Sequence, residues 1–284
     1  VSIDQFYGIE INDFAVTVAK TALWIAESQM MKETEDIVHM DLDFLPLTTN
    51  AFIVEGNSLQ IDWESVVPKY QVSYIMGNPP FVGARVMSSG QKDDVKEIFR
   101  GWKNVGNMDY VCCWYKRCAD FMKNTSIRSA LVSTNSVSQG ESVANLWKPL
   151  LENGVHIDFA YRTFQWDSEA KIKAHVHCVI IGFSIAPYDK PKKVFIDERY
   201  QIAKNINGYL LDAANVYVES RNKPICDIPE IGIGNKPIDG GYYLFEKEEM
   251  EEFIKKEPEA KTYFRPWYGS KEFINRSPRY CLWL

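Results

Sequence analysis

Three short apolar runs, each stopped by a polar residue, most constrain what this chain can become. Gln5–Ile11 runs through Phe6, Tyr7 and Ile9 to Glu10. Ala51–Leu59 runs through Phe52, Ile53 and Val54 to Gly56, Asn57 and Ser58. Val72–Phe81 runs through Ile75 and Met76 to Asn78-Pro79-Pro80-Phe81. Apolar runs of this length, bounded by turn residues, are the pattern of buried strands. Helical patterns alternate with them. Asn12-Asp13 caps a segment with Phe14, Val16, Ala19, Ala22, Leu23 and Ile25 at helical spacing. Asp109–Lys123 and Glu141–Asn153 predict two more helices, the second closed by Gly154 at its C′ position. Arg128–Ser136, Val155–Phe164 and Lys173–Phe183 predict further strands. The alternation, ending in a strand pair, predicts an α/β sheet with helices on both faces. Open sheets of this class hold ligands beyond the carboxyl ends of their strands, where the polar stops lie.

The third stop has the most chemistry in it. Asn78 precedes proline, so its backbone is extended and its side chain is aimed. Pro79 and Pro80 offer carbonyls and no N–H, leaving an edge of acceptors, and Phe81 adds a flat face. An amide oxygen, a bare carbonyl and an aromatic ring suit a planar ring bearing an exocyclic NH2 group. A proline-rich turn ending a strand has the same letters. Glu10 stands where a carboxylate accepts hydrogen bonds from ribose hydroxyls, and equally where a helix dipole favours an acid. Asn57 can accept from and donate to an adenine edge, or serve as a turn asparagine after glycine. Phe164 and Trp166 put two aromatics at a loop between two strands, which ordinary strand-end packing accounts for.

Composition excludes several classes. With 46% hydrophobic and 25% charged residues, the 284-residue chain has enough apolar material for a real core. No apolar run is long enough to span a membrane, and the start has no signal-peptide pattern. The six cysteines form no CxxC pair and no zinc spacing, so they read as reduced core residues of a cytoplasmic protein. His175 and His177 face one side of a strand with no further ligands nearby, and no metal is expected. A net charge of −6 argues against nonspecific coating of DNA and leaves room for a local basic cleft.

Asn78-Pro79-Pro80-Phe81 resembles the catalytic tetrapeptide of the amino-methyltransferases that modify adenine or cytosine in DNA. The succession Glu10, Asn57, Asn78 resembles the second, third and fourth motifs of the S-adenosylmethionine-dependent methyltransferases. The set Phe6–Ile11, Gly56–Leu59, Gly77–Phe81, Ser133–Gly140 and Phe164–Phe183 is most similar to the MmeI-like class of large adenine-specific enzymes, over nearly the whole chain. The resemblance implies a Rossmann-like class I methyltransferase sheet. It implies S-adenosylmethionine as cofactor, with Glu10 on the ribose, Ile11 packed on the adenine, Asn57 on its amine and Ser58 against the ring. It implies that Asn78 and Pro79 hold the target amine, and that Phe81, with Phe164 or Trp166, clamps a base flipped from double-stranded DNA. The family more often has Asp where Asn57 stands.

The family's first motif, a glycine-rich loop after the first strand, belongs about twenty residues before Glu10 by analogy with dinucleotide folds. The chain begins too late to contain it, so a partial chain is expected, without the sheet's central strand and of doubtful stability alone. From Pro187 the composition shifts to a charged connector, Lys190–Lys193, and an Asn/Gly/Pro-rich stretch. We therefore expect a catalytic domain over 1–186, then a connector and the beginning of a target-recognition region over 187–284. Tyr263–Leu284 interleaves basic and aromatic residues, which suits nucleic-acid contact or an interdomain core. The expected function is transfer of a methyl group to adenine N6 in DNA, within a restriction–modification enzyme, with any fused or associated nuclease outside this chain. The rivals are cytosine N4, an RNA base or a protein glutamine amide on the same fold, and a non-catalytic DNA-binding subunit. A nicotinamide oxidoreductase is disfavoured because the proline motif has no role in hydride transfer.

Overall fold

A computed structural model describes residues 2–40, 50–166, 176–221, 223–229 and 239–283. It divides into two compact units, Val1–Ser220 and Arg221–Leu284. In the first unit, β1 (Tyr7–Glu10) leads into α1 (Asp13–Val38), and β2 (Phe52–Glu55) pairs with β1 in parallel. Asn12 caps α1 by accepting a hydrogen bond from the Ala15 N–H. Val16, Ala19 and Leu23 lie on the half-buried stripe of α1, whereas Phe14, Ala22 and Ile25, expected on the same face, are exposed. A short helix, α2 (Trp63–Val66), precedes β3 (Tyr74–Gly77).

After β3 come α3 (Ser89–Ile98), α4 (Cys112–Phe121) and β4 (Arg128–Thr134). Ser88 and Gln91 form a capping box that starts α3. The helix expected over 141–153 is built in three pieces. One turn, α5 (Gly140–Ser142), runs through a π turn at Val143–Trp147 into α6 (Lys148–Glu152). Gly154, at φ +87°, ends it as expected. Then follow β5 (His156–Gln165), β6 (His177–Ser184), β7 (Lys192–Ile196) and β8 (Arg199–Ala203).

The main sheet has the order β3-β4-β6-β5-β7-β8. β3 and β4 are parallel, and β6 is antiparallel to both β4 and β5. β3, β4 and β5 therefore point the same way and end at one edge. β1 and β2 form their own parallel pair. Among the described residues, no strand is hydrogen-bonded to the remaining edge of β1 or of β3. β5 carries one more residue than β6 twice, between Ile157 and Phe159 and between Tyr161 and Phe164.

The domain boundary expected at 186/187 falls inside this sheet. β7 pairs in parallel with β5 and β8 closes on β7, so the first unit continues to Ser220. Lys190–Lys193 reads as a connector because its charges dominate, yet Val194 is fully buried and burial pulls the Lys192 amine below its ordinary value. The core lies between the sheet and α4 with the π segment. Val111, Cys112, Cys113, Tyr115, Cys118, Leu146, Trp147, Ile157, Ile181 and Phe183 are fully buried there. Each such apolar side chain contributes about 1.5–3 kcal/mol by leaving water. Cys178 is buried as well, whereas Cys226 is exposed, departing from the core role expected of all six thiols.

The second unit holds β9 (Leu244–Phe245), α7 (Lys247–Lys256), β10 (Phe264–Trp267), α8 (Ser270–Asn275) and β11 (Arg279–Leu282). β11 lies between β10 and β9 in an antiparallel sheet. Phe245, Phe253 and Phe264 make its small apolar centre, and Arg279 stacks on Trp267 while pairing with Glu272. Tyr268, Phe273 and Trp283 from the basic and aromatic stretch remain exposed. Among the described residues no helix is long and apolar enough to cross a membrane, and no cluster of three metal-ligating side chains occurs. His175 lies outside the described residues.

Candidate active site

Asn78 leaves β3 at the edge where β4 and β5 also end. Pro79 is buried, Asn78 and Pro80 are exposed, and Phe81 is half-buried against the main core. The loop is held from behind. The Tyr110 N–H donates to the Val82 carbonyl at 2.9 Å, and the Ala84 N–H donates to Asp109 Oδ1 at 3.2 Å. Asp109 Oδ2 in turn accepts from Ser136 Oγ, just beyond β4. The Asn78 side-chain oxygen and the Pro79 carbonyl accept no hydrogen bond from any described residue. Two unsatisfied acceptors on an anchored loop beside a fixed ring can take both hydrogens of an aryl amine.

Phe164 and Trp166 come from the end of β5, at the same sheet edge. Their ring centroids lie 6.3 Å apart with planes inclined by 39°, and Trp166 is 40% exposed. The Trp166 N–H donates to the Val176 carbonyl at 3.0 Å, which fixes the end of the strand. The pair thus shares an edge with Asn78 and keeps ring surface open to a ligand.

The candidate cofactor residues sit at the ends of β1 and β2. Glu10 Oε1 accepts from the Ile11 N–H at 2.9 Å, leaving its other oxygen for a hydroxyl, and Ile11 is 69% exposed. The Gly56 N–H donates to the Glu10 carbonyl, so the two strand ends are joined. Ser58 is gripped by two indoles, accepting from Trp114 Nε1 at its hydroxyl and from Trp63 Nε1 at its carbonyl. Asn57 is more committed than its sequence shows. Its Oδ1 accepts from the Leu59 N–H at 2.9 Å and its Nδ2 donates to Asp94 Oδ2 at 3.0 Å. A half-buried acid, an exposed aliphatic residue and an oriented amide fit the nucleoside half of a cofactor.

Asp94, Asp109 and Tyr110 carry no motif and were missed in the sequence. Asp94 is 8% exposed and accepts from Asn57, from Gln60 Nε2 at 2.8 Å and from the Tyr110 hydroxyl at 2.6 Å. Burial, and then the bond to Asp94, push the Tyr110 phenol above its ordinary value, so it stays a donor. One signal was available: Asp94 lies one turn before Ile98 on the apolar side of α3, where a carboxylate needs partners. Through these residues the Asn57 loop and the Asn78 loop belong to one bonded network.

The MmeI DNA-methyltransferase domain family matches residues 1–196, and the MmeI target recognition domain family matches residues 212–284. The chain is 43% identical to DNA methyltransferase A of Bacillus subtilis (strain 168) over all of its own length, spanning 33% of that relative. It superposes on the Type IIL restriction–modification enzyme MmeI, solved in complex with DNA, with a TM-score of 0.92 and 42% identity. That match covers 100% of this chain and 39% of the other. The α/β arrangement with a flanked sheet is therefore that of MmeI, and the chain belongs to the MmeI DNA-methyltransferase family.

Proposed function

We propose that this chain is the methyl-transferring core, with the start of target recognition, of an enzyme that methylates adenine N6 in double-stranded DNA. The observation that carries the reading is the free acceptor pair of Asn78 and Pro79 on a loop held by Asp109 and Tyr110. An aryl amine is a poor nucleophile because its lone pair is spread into the ring. The Asn78 and Pro79 oxygens each take one amine hydrogen, which favours a pyramidal nitrogen whose lone pair stands out of the ring plane. Positioning then replaces a strong base. Phe81, fixed by the core, and Phe164 or Trp166 clamp the flipped base.

S-adenosylmethionine supplies the electrophilic methyl group, and Glu10, Ile11, Asn57 and Ser58 hold its nucleoside end. The Asn78 and Pro79 oxygens keep the amine oriented until one hydrogen leaves to water as a proton. The likeness to a restriction–modification enzyme and the match to a target recognition domain support a role in a restriction–modification system that reads a DNA target.

The test uses the full-length gene product and its Asn78→Ala variant in a host lacking adenine methylation, with genomic nucleosides read by mass spectrometry. N6-methyladenine from the first and none from the second is expected. N4-methylcytosine would move the target to cytosine. No modified base from a folded, cofactor-binding protein would refute DNA as substrate and point to RNA bases or protein amides.

A further inference from the structure

We propose that Asp94 is a positioning residue that fixes which edge of the Asn57 amide faces the cofactor, and so selects a cofactor bearing adenine. The inference rests on the reading of Asn57 as a cofactor ligand and adds what sets its direction.

A side-chain amide has one accepting edge and one donating edge, and turning it over exchanges them. Two neighbours of Asn57 remove that freedom. An ionised carboxylate only accepts, so the atom facing Asp94 at 3.0 Å must be the nitrogen. A backbone N–H only donates, so the atom facing Leu59 at 2.9 Å must be the oxygen. Turning the amide over would replace both hydrogen bonds by repulsive contacts. What remains for a ligand is the second lone pair of Oδ1. The lone pair matches the N6 amine of adenine and mismatches the O6 carbonyl of a hypoxanthine ring.

The carboxylate is itself well held. Gln60 Nε2 and the Tyr110 hydroxyl donate to it alongside Asn57, so three donors offset its burial. The same tyrosine supports the target loop, because its N–H donates to the Val82 carbonyl. Asp94 thus stands between the two half-sites.

Asp94 also explains the asparagine. An aspartate at position 57, the commoner residue in the resembling family, would set two carboxylates at about hydrogen-bond distance and force one to take a proton. With Asp94 beneath it, position 57 requires a donor on one side and an acceptor on the other, and asparagine has both.

The experiment titrates the full-length gene product calorimetrically with S-adenosylhomocysteine and with its inosine counterpart, which carries O6 in place of the amine. Wild type is expected to prefer the adenine compound by about tenfold or more, because a site built to receive an N–H rejects a ligand lacking it. Asp94→Asn is expected to narrow the preference several-fold, since an amide at 94 no longer opposes the reversed Asn57 amide and the Leu59 N–H alone then holds it. Asn57→Asp is expected to weaken both ligands. The exchanged pair, Asn57→Asp with Asp94→Asn, is expected to restore the preference to within about threefold of wild type, because donor and acceptor again face each other.

Equal weakening of both ligands by Asp94→Asn, with no recovery in the exchanged pair, would make Asp94 scaffold only and overturn the inference. Should Asp94→Asn alone not fold, the exchanged pair decides: a preference near wild type supports the assignment and its loss defeats it. A wild-type protein that binds the two compounds equally refutes Asn57 as an adenine ligand, a failure visible before any variant is made.

Discussion

The Tyr115 hydroxyl and Ser133 Oγ meet at 2.7 Å in a fully buried position, tying α4 to the strand that leads to the active edge. Removing either partner leaves the other polar atom in the core without its bond. Tyr115→Phe keeps the ring, and with it the contacts to Trp147 and Phe183 at centroid distances of 5.3 Å. Its cost is therefore that of the orphaned serine, about 1–3 kcal/mol. Ser133→Ala orphans the phenol and costs about the same. The double variant leaves no orphan and is expected to lie within about 1 kcal/mol of wild type, giving a coupling of about 3 kcal/mol. At a typical urea slope, each single variant lowers the midpoint by about 1 M.

The assay is urea unfolding of the full-length gene product followed by tryptophan fluorescence, with Trp147 as the local reporter. Burial pushes the Tyr115 phenol far up, so it remains a hydroxyl and the coupling is expected to be constant from about pH 6 to about pH 9. Additive losses in the double variant would refute the claim that unsatisfied burial, rather than the bond itself, sets the cost.

Three further outcomes are expected. Burial pushes the Cys113 and Cys118 thiols up to about 12, so near pH 8 only about one in ten thousand is thiolate. Exposed Cys226 should react first with an alkylating agent, as peptide mapping would show. Asp158→Ala removes the buried acceptor shared by Arg128, His156 and Ser184 and is expected to cost about 3–5 kcal/mol in urea unfolding. Gly182→Ala would put a Cβ 2.1 Å from the Phe159 ring, and a loss of about 1–3 kcal/mol is expected in the same measurement.

The elements legible in the sequence were those whose pattern is local. Tyr7–Glu10, Tyr74–Gly77 and Arg128–Thr134 are short apolar runs with turn residues at their ends, and Asn12 and Gly154 mark helix limits by capping chemistry. β7 was hidden because Lys192 and Lys193 precede its buried Val194, and a short strand that opens with charges reads as a linker. The π turn at Val143–Trp147 has no composition of its own, since its extra residue is accommodated by packing of the buried Trp147. In the site, Asn78–Phe81 was legible because proline geometry and acceptor chemistry are written in the letters. Asp94 was not, because its meaning lies in three donors distant in sequence: Asn57, Gln60 and Tyr110.

The surplus residue between Tyr161 and Phe164 has a consequence for how this lineage can change. A regular strand couples every side chain to every other, because a one-residue insertion turns all later residues to the opposite face. The bulge resets that count just before Phe164 and Trp166, leaving Ile157 and Ala160 seated in the core. Insertions and deletions in that short stretch can retune the reach of the aromatic pair while the core beneath stays untouched, which makes the end of β5 a place where evolution can experiment cheaply.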